Sequence, residues 1–316
     1  MKRIVIAILN TVATIALLVA FVSGLGHILR PTNTDSAITA INTFHNVEEN
    51  TIDVIGYGSS HMWMGFDAQA MYDLYGISAY NYGCNWQHIN TTELFVKDSF
   101  RTQSPKVVLV ELFMVNHVLE NVDMEGEIYY TRAISDFEGK RDYLKQCFGN
   151  DKEKYLSYYM PLCAFHENWT NLKPKSFKKI TSDTDYAATR GSVLNESVYP
   201  MTIADYTTFE QLQLEEKSLR SLDNIVEICK ENNAEVIFYV APYGFGYNYS
   251  DAMSVYAQEN GCVFLDMYKL ADEVGLDQST DYCDNEHLNK YGAYKVAEYL
   301  GNYIVNNYDV TDFREI

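Results

Sequence analysis

Positive charge is what this chain has least of. Its 24 Lys and Arg stand against 43 Asp and Glu, a formal net charge of −19, and a protein that tracks phosphates needs a clustered basic face. No nucleic-acid partner is expected. Cysteine is thin as well: Cys84, Cys147, Cys163, Cys229, Cys262 and Cys283 show no CxxC spacing, which argues against a zinc knuckle. Disulfides among them are permitted but not assignable. His61, His88, His117 and His166 have no spacing that requires a metal, so the reading carries no metal and no cofactor. Charge of either sign is missing from one further place, the run from Ile4 to Leu29, which Lys2 and Arg3 precede and Arg30 follows.

That uncharged run suffices for one helix across a bilayer. Lys2, Arg3 and the free amine outweigh Arg30, so the positive-inside rule favours residues 1–30 as a single-pass signal anchor of the cell membrane, with the body outside. A cleaved signal peptide is the rival reading, because Val22-Ser23-Gly24 weakly resembles a small-x-small cleavage site. Either way the body is extracytoplasmic. Residues 31–50, polar with Thr, Asn and Ser, read as a spacer into the globular part.

Residues 51–316 read as one domain, since a chain of 316 residues with 47% apolar content can bury one substantial core. Short apolar runs at 53–57, 78–82, 106–112, 235–241 and 262–266 are expected strands. Helical spacing over 67–75, 91–101, 209–232, 250–260 and 290–305 separates or closes them. Near-continuous apolar strands alternating with helices predict an α/β fold, a three-layer α/β/α sandwich around a five-stranded parallel sheet with right-handed crossovers. The rhythm breaks over 116–210, read as an insertion of helices and loops over the carboxyl ends of the strands, where such sheets bind ligands.

Two distant segments carry the chemistry. Gly58-Ser59-Ser60-His61 follows the first strand directly, and Asp284-Asn285-Glu286-His287 shortly precedes the last helix. Together they supply a serine nucleophile, an imidazole base and a carboxylate to orient it, which is sufficient for acyl-transfer or esterase chemistry. Ser60 is the expected nucleophile, with Ser59 the alternative. An Asp three residues before a His lets one loop present both side chains, so Asp284 is the expected orienter of His287, with Glu286 the alternative. The Ser60 amide, at the turn into a helix, is an expected oxyanion donor.

These segments resemble the SGNH/GDSL hydrolase superfamily, whose first block is Gly-Asp-Ser or a variant and whose last is Asp-x-x-His; Leu288-Asn289 and Gly292 look like the continuation of the last. With Gly65-Phe66-Asp67 soon after the first block, on an exported and anchored body, the chain resembles the branch of bacterial polysaccharide O-acetyltransferases and the teichoic-acid D-alanyl-transfer protein. The resemblance implies a flavodoxin-like SGNH fold and a Ser60-His287-Asp284 triad. It also implies action on acyl groups, O-acetyl foremost, of a cell-envelope polysaccharide or glycopolymer, beside a multi-spanning membrane O-acyltransferase. It implies that Gly83, after the second strand, offers an oxyanion amide. The third block, Gly-x-Asn-Asp, is not matched; the third strand ends Glu111-Leu112-Phe113-Met114-Val115-Asn116, and Asn116 is the expected substitute. His61, Trp86 and Gln87 are expected to border the substrate pocket. The other reading is a noncatalytic cell-surface glycan-binding or assembly protein that keeps the fold.

Overall fold

A computed structural model describes residues 2–124, 126–203, 205 and 209–314. The uncharged run forms α1 (Lys2–Ile28), long and apolar enough to cross a membrane. A 3-10 turn leads into α2 (Asp35–Phe44). Then follow β1 (Val54–Tyr57), α3 (Ser60–Gly65), α4 (Ala68–Tyr75), β2 (Ala79–Asn81), α5 (Ile89–Ser99) and β3 (Val107–Glu111). Four short helices come next: α6 (Gly126–Tyr130), α7 (Phe137–Phe148), α8 (Lys152–Tyr159) and α9 (Pro161–Phe165). The chain closes with α10 (Glu216–Glu231), β4 (Glu235–Val240), α11 (Ser250–Asn260), β5 (Val263–Asp266), α12 (Ala271–Val274) and α13 (Lys290–Asn307).

All five strands are parallel, in the order β2-β1-β3-β4-β5. This is the doubly wound flavodoxin-like order, whose switch point lies where the chain leaves β1 first to one side and later to the other. Because strand side chains alternate, β3 sends Val108 and Val110 to one face and Val107 and Leu109 to the other. The first face packs α2, α5 and α10 with Phe44, Leu94 and Leu222; the second packs α4 and α13 with Met71, Val296 and Leu300. Burial on both sides explains why the strands are nearly free of polar residues.

The stretch expected as a spacer is built differently. Ala37, Ile38, Ile41 and Phe44 are buried in the core, and Phe44 stacks on Tyr82 with ring centroids 4.0 Å apart. Residues at i, i+1, i+4 and i+7 make one helical stripe, which the Thr and Asn between them conceal in composition. The helix expected from 209 begins at Glu216, after an N-cap at Glu215. Of the expected insertion, residues 125, 204 and 206–208 lie outside the described residues. Its helices do not roof the strand ends: α7 packs on α5, α6 on α2, and α9 on α1. Its extended later part does reach the switch-point side, where Val193 N–H donates to the Trp63 carbonyl and Lys290 N–H to that of Asn195.

Candidate active site

At the end of β1 the backbone must turn sharply into α3, and Gly58 makes this feasible. Its φ of +152° suits glycine, and a Cβ there would stand 2.9 Å from that of Glu111. Ser59 then caps α3, its hydroxyl accepting from His61 N–H. Ser60 becomes the first helical residue, half-buried, and its amide meets no acceptor among the described residues.

The loop before α13 is held from below by Asn289. Its side chain accepts from the amides of Tyr291 and Gly292 and donates to the carbonyls of Ser197, Thr280 and Tyr282. Tyr282 and Leu288 form an antiparallel bridge that closes the loop, and Gly244 N–H donates to the Asn285 carbonyl. Asp284 therefore sits at a fixed tip, where its Oδ1 accepts from the amides of Glu286 and His287 at 2.8 Å each.

These two turns meet. The Ser60 hydroxyl lies 2.8 Å from His287 Nε2, and His287 Nδ1 lies 3.0 Å from each Asp284 carboxylate oxygen. The carboxylate requires the proton on Nδ1, which leaves Nε2 free to accept from the serine. Partial burial pushes the Asp284 carboxyl up, but the amides of Glu286 and His287 and the His287 ring outweigh it and hold it below the usual carboxylate range. It stays ionised at neutral pH.

A second line of groups runs beneath. Glu111, at the end of β3 and almost fully buried, accepts from Phe113 N–H at 2.8 Å and faces the Ser59 hydroxyl at 3.3 Å; that hydroxyl lies 3.3 Å from His61 Nδ1. Burial raises the Glu111 carboxyl to about 8, against the smaller lowering by the Phe113 amide and the Ser59 hydroxyl. Burial, and then the neighbouring His287, hold the His61 imidazole well below the usual histidine range, so it is neutral. The His61 ring stacks on Phe113 at 3.7 Å and sits 4.9 Å from the His287 ring, with Tyr243 packed edge-on. Its Nε2 is buried, and the Glu286 backbone is a hydrogen-bonding neighbour of the ring. Glu111, Phe113 and Tyr243 were not anticipated, and Ser59 only as the alternative nucleophile. One signal was available for Glu111, an acid at the end of an otherwise apolar parallel strand.

Other expected residues are engaged elsewhere. The Gly83 amide donates to Asn81 Oδ1 at 3.1 Å, because Asn81 folds back to staple the Met62, Trp63 and Phe66 carbonyls with its Nδ2. That amide is therefore not open to an oxyanion. Asn116 spends its side chain on the Glu215 amide and the Tyr249 hydroxyl, tying the loop after β3 to the chain before α10. Gln87 is buried and accepts from Cys84 N–H, so it props its own loop rather than facing substrate. Trp86 is exposed and lines a cavity of about 280 Å³ with His88, Leu119 and Glu127, not with Ser60. Larger cavities of about 540 and 630 Å³ are likewise lined by none of the triad residues. With His287 half-buried and Asp284 exposed, the triad opens on the rim of the sheet.

No family model matches the chain, and no curated protein matches it. Among solved structures, a Bacteroides fragilis NCTC 9343 protein provisionally assigned as an acylhydrolase is similar over 84% of this chain and 93% of its own, at 12% identity and a TM-score of 0.40. A likeness that distant carries no argument about this chain.

Proposed function

We propose that the chain is an exported, membrane-anchored serine acyltransferase or esterase of the SGNH type, acting on acyl groups of a cell-envelope glycan. The observation that supports this reading most is the 2.8 Å approach of the Ser60 hydroxyl to a histidine whose other nitrogen rests on a carboxylate.

In the proposed reaction His287 Nε2 takes the Ser60 proton while Oγ forms a bond to the carbonyl carbon of an ester or thioester. The tetrahedral oxyanion is held by the Ser60 amide, with the neutral His61 ring, 4.9 Å from that of His287, as the neighbouring donor in place of Gly83 and Asn116. His287 then protonates the leaving oxygen or sulfur, and an acyl-Ser60 ester remains. A sugar hydroxyl or water, deprotonated by His287, attacks that ester, and Ser60 leaves with its proton restored. An open rim admits a polymeric acceptor as readily as a small one, and α1 would hold the site at the membrane, where a multi-spanning O-acyltransferase could pass on the acyl group.

An activated acetyl ester tests the reading by intact mass: the chain should gain one acetyl group, and Ser60→Ala should gain none. Unchanged labelling of that variant would remove the assignment. The noncatalytic reading has one observation in its favour, the commitment of Gly83 and Asn116 to other partners. Glycan binding without any serine labelling would establish it instead.

A further inference from the structure

In a chain of net charge −19, residues 171–180 read Asn-Leu-Lys-Pro-Lys-Ser-Phe-Lys-Lys-Ile, with four lysines and no acid. All four are exposed, as are Leu172 and Phe177 among them. Leu156, Tyr159, Met160 and Trp169 are exposed as well and extend the apolar surface. Scattered apolar side chains on a soluble surface mean little, but large aromatic and aliphatic groups interleaved with lysines are the composition that partitions into a bilayer interface.

This segment is fastened to the outward end of α1. Arg30, its side chain fully buried, pairs with Asp35 at 2.9 Å and donates to the carbonyls of Ser176 at 3.0 Å and Lys175 at 3.3 Å. His27 Nε2 lies 2.8 Å from the Lys178 carbonyl. A cavity of about 540 Å³ opens between Leu18, Val19 and Val22 of α1 and Tyr159, Met160 and Leu162 of the body. A helix rises about 1.5 Å per residue and the hydrocarbon core takes about 20 residues. With Lys2 and Arg3 at the inner surface, the outer boundary falls near Ser23. Body residues facing Leu18 to Val22 then lie at the depth of the outer leaflet, and the lysines beside His27 and Arg30 at the headgroups.

Resting on the reading of α1 as a spanning anchor, we propose that residues 156–180 are a membrane seat. Tyr159 and Met160 enter the outer leaflet, Trp169, Leu172 and Phe177 lie in its interfacial layer, and Lys173, Lys175, Lys178 and Lys179 hold anionic phospholipid headgroups. A seat of this kind fixes the body against the bilayer, so that the triad meets substrates at one height and orientation.

The test uses the full chain in bilayers of phosphatidylcholine with or without phosphatidylglycerol, plain or brominated on the acyl chains, in a Trp86→Phe background. Trp63 is buried in the body and supplies an unquenched floor. Bromolipids should quench the Trp169 emission, more strongly with phosphatidylglycerol present, and Trp169→Phe should abolish the quenching. Each lysine near an anionic surface is worth about fivefold in affinity. The K173Q/K175Q/K178Q/K179Q variant should therefore lose the dependence on phosphatidylglycerol. A chain that resists carbonate extraction but shows no bromolipid quenching overturns the seat while leaving the anchor standing. Shielding of Trp169 from aqueous iodide without bromolipid quenching also overturns it, since a protein would then cover the face. A chain released by carbonate overturns the anchor and the seat with it.

Discussion

Ser59 and Ser60 are neighbours in the chain, and each stands in a line with a histidine and a carboxylate. Ser60 meets His287 and Asp284 at 2.8 and 3.0 Å on a half-open rim. Ser59 lies between His61 and Glu111 at 3.3 Å from each, in the interior. The residue types match, yet the rim line carries an ionised carboxylate and the buried line a raised one. Amides made the difference for Asp284, since those of Glu286 and His287 favour the charged form; dehydration made it for Glu111, where the same kind of contact is outweighed. The proposed chemistry needs the first combination, because only an ionised orienter stabilises the imidazolium formed when the serine gives up its proton.

The largest effect should come from exchanging the two serines. Ser60→Ala should lower turnover of an activated ester by about 10⁴-fold or more, whereas Ser59→Ala, which removes a helix cap and a buried contact, should cost about tenfold and mainly lower stability. Steady-state kinetics and thermal melting separate these outcomes, and equal losses of turnover would erase the distinction. Asp284→Asn comes next. It keeps the shape but favours the wrong imidazole tautomer, for a loss of about 10²–10⁴ in kcat. Exposure of Asp284 places the expected loss toward the lower end, because water can partly replace it.

Much of this frame was legible from the chain. The strands announced themselves because burial on both faces demands unbroken apolar runs, and the Asp284 and His287 pair because one loop turn sets their spacing. What escaped depended on partners distant in sequence. Nothing near Gly83 marks its amide as taken, since Asn81 binds it only because the same side chain must also staple the Met62 to Phe66 turn. Asn116 is diverted by Tyr249 and by the amide of residue 215 across an insertion. The helix α2 escaped for a different reason: Thr39, Asn42 and Thr43 interrupt its apolar stripe along the sequence but not on the buried face.

A smaller effect tests whether the buried line assists the rim. If His61 Nε2–H steadies the oxyanion, His61→Phe should keep the stack on Phe113 yet lower kcat by about 10²–10³, with KM little changed. His61→Gln, which retains a donor, should recover part of the loss. Full activity of the phenylalanine variant would show that the upper line works alone.

The smallest effect concerns stability rather than rate. Glu111 titrates near 8 in the folded chain against 4.5 for an ordinary glutamate, so between those values the folded state holds a proton that the unfolded state has lost. Stability from this group is complete below about pH 4.5 and is lost as pH rises through 8. Each unit of displacement corresponds to about 1.4 kcal/mol, so the decline from pH 5 to pH 8 is on the order of a few kcal/mol. Glu111→Gln removes the titration but keeps an oxygen for the Phe113 amide and a donor for Ser59. Urea unfolding of both proteins at pH 5, 6.5 and 8 should show the wild type weakening and the variant nearly level. Parallel curves would mean that Glu111 is ionised in the interior, and the contrast between the two lines would then rest on distance alone.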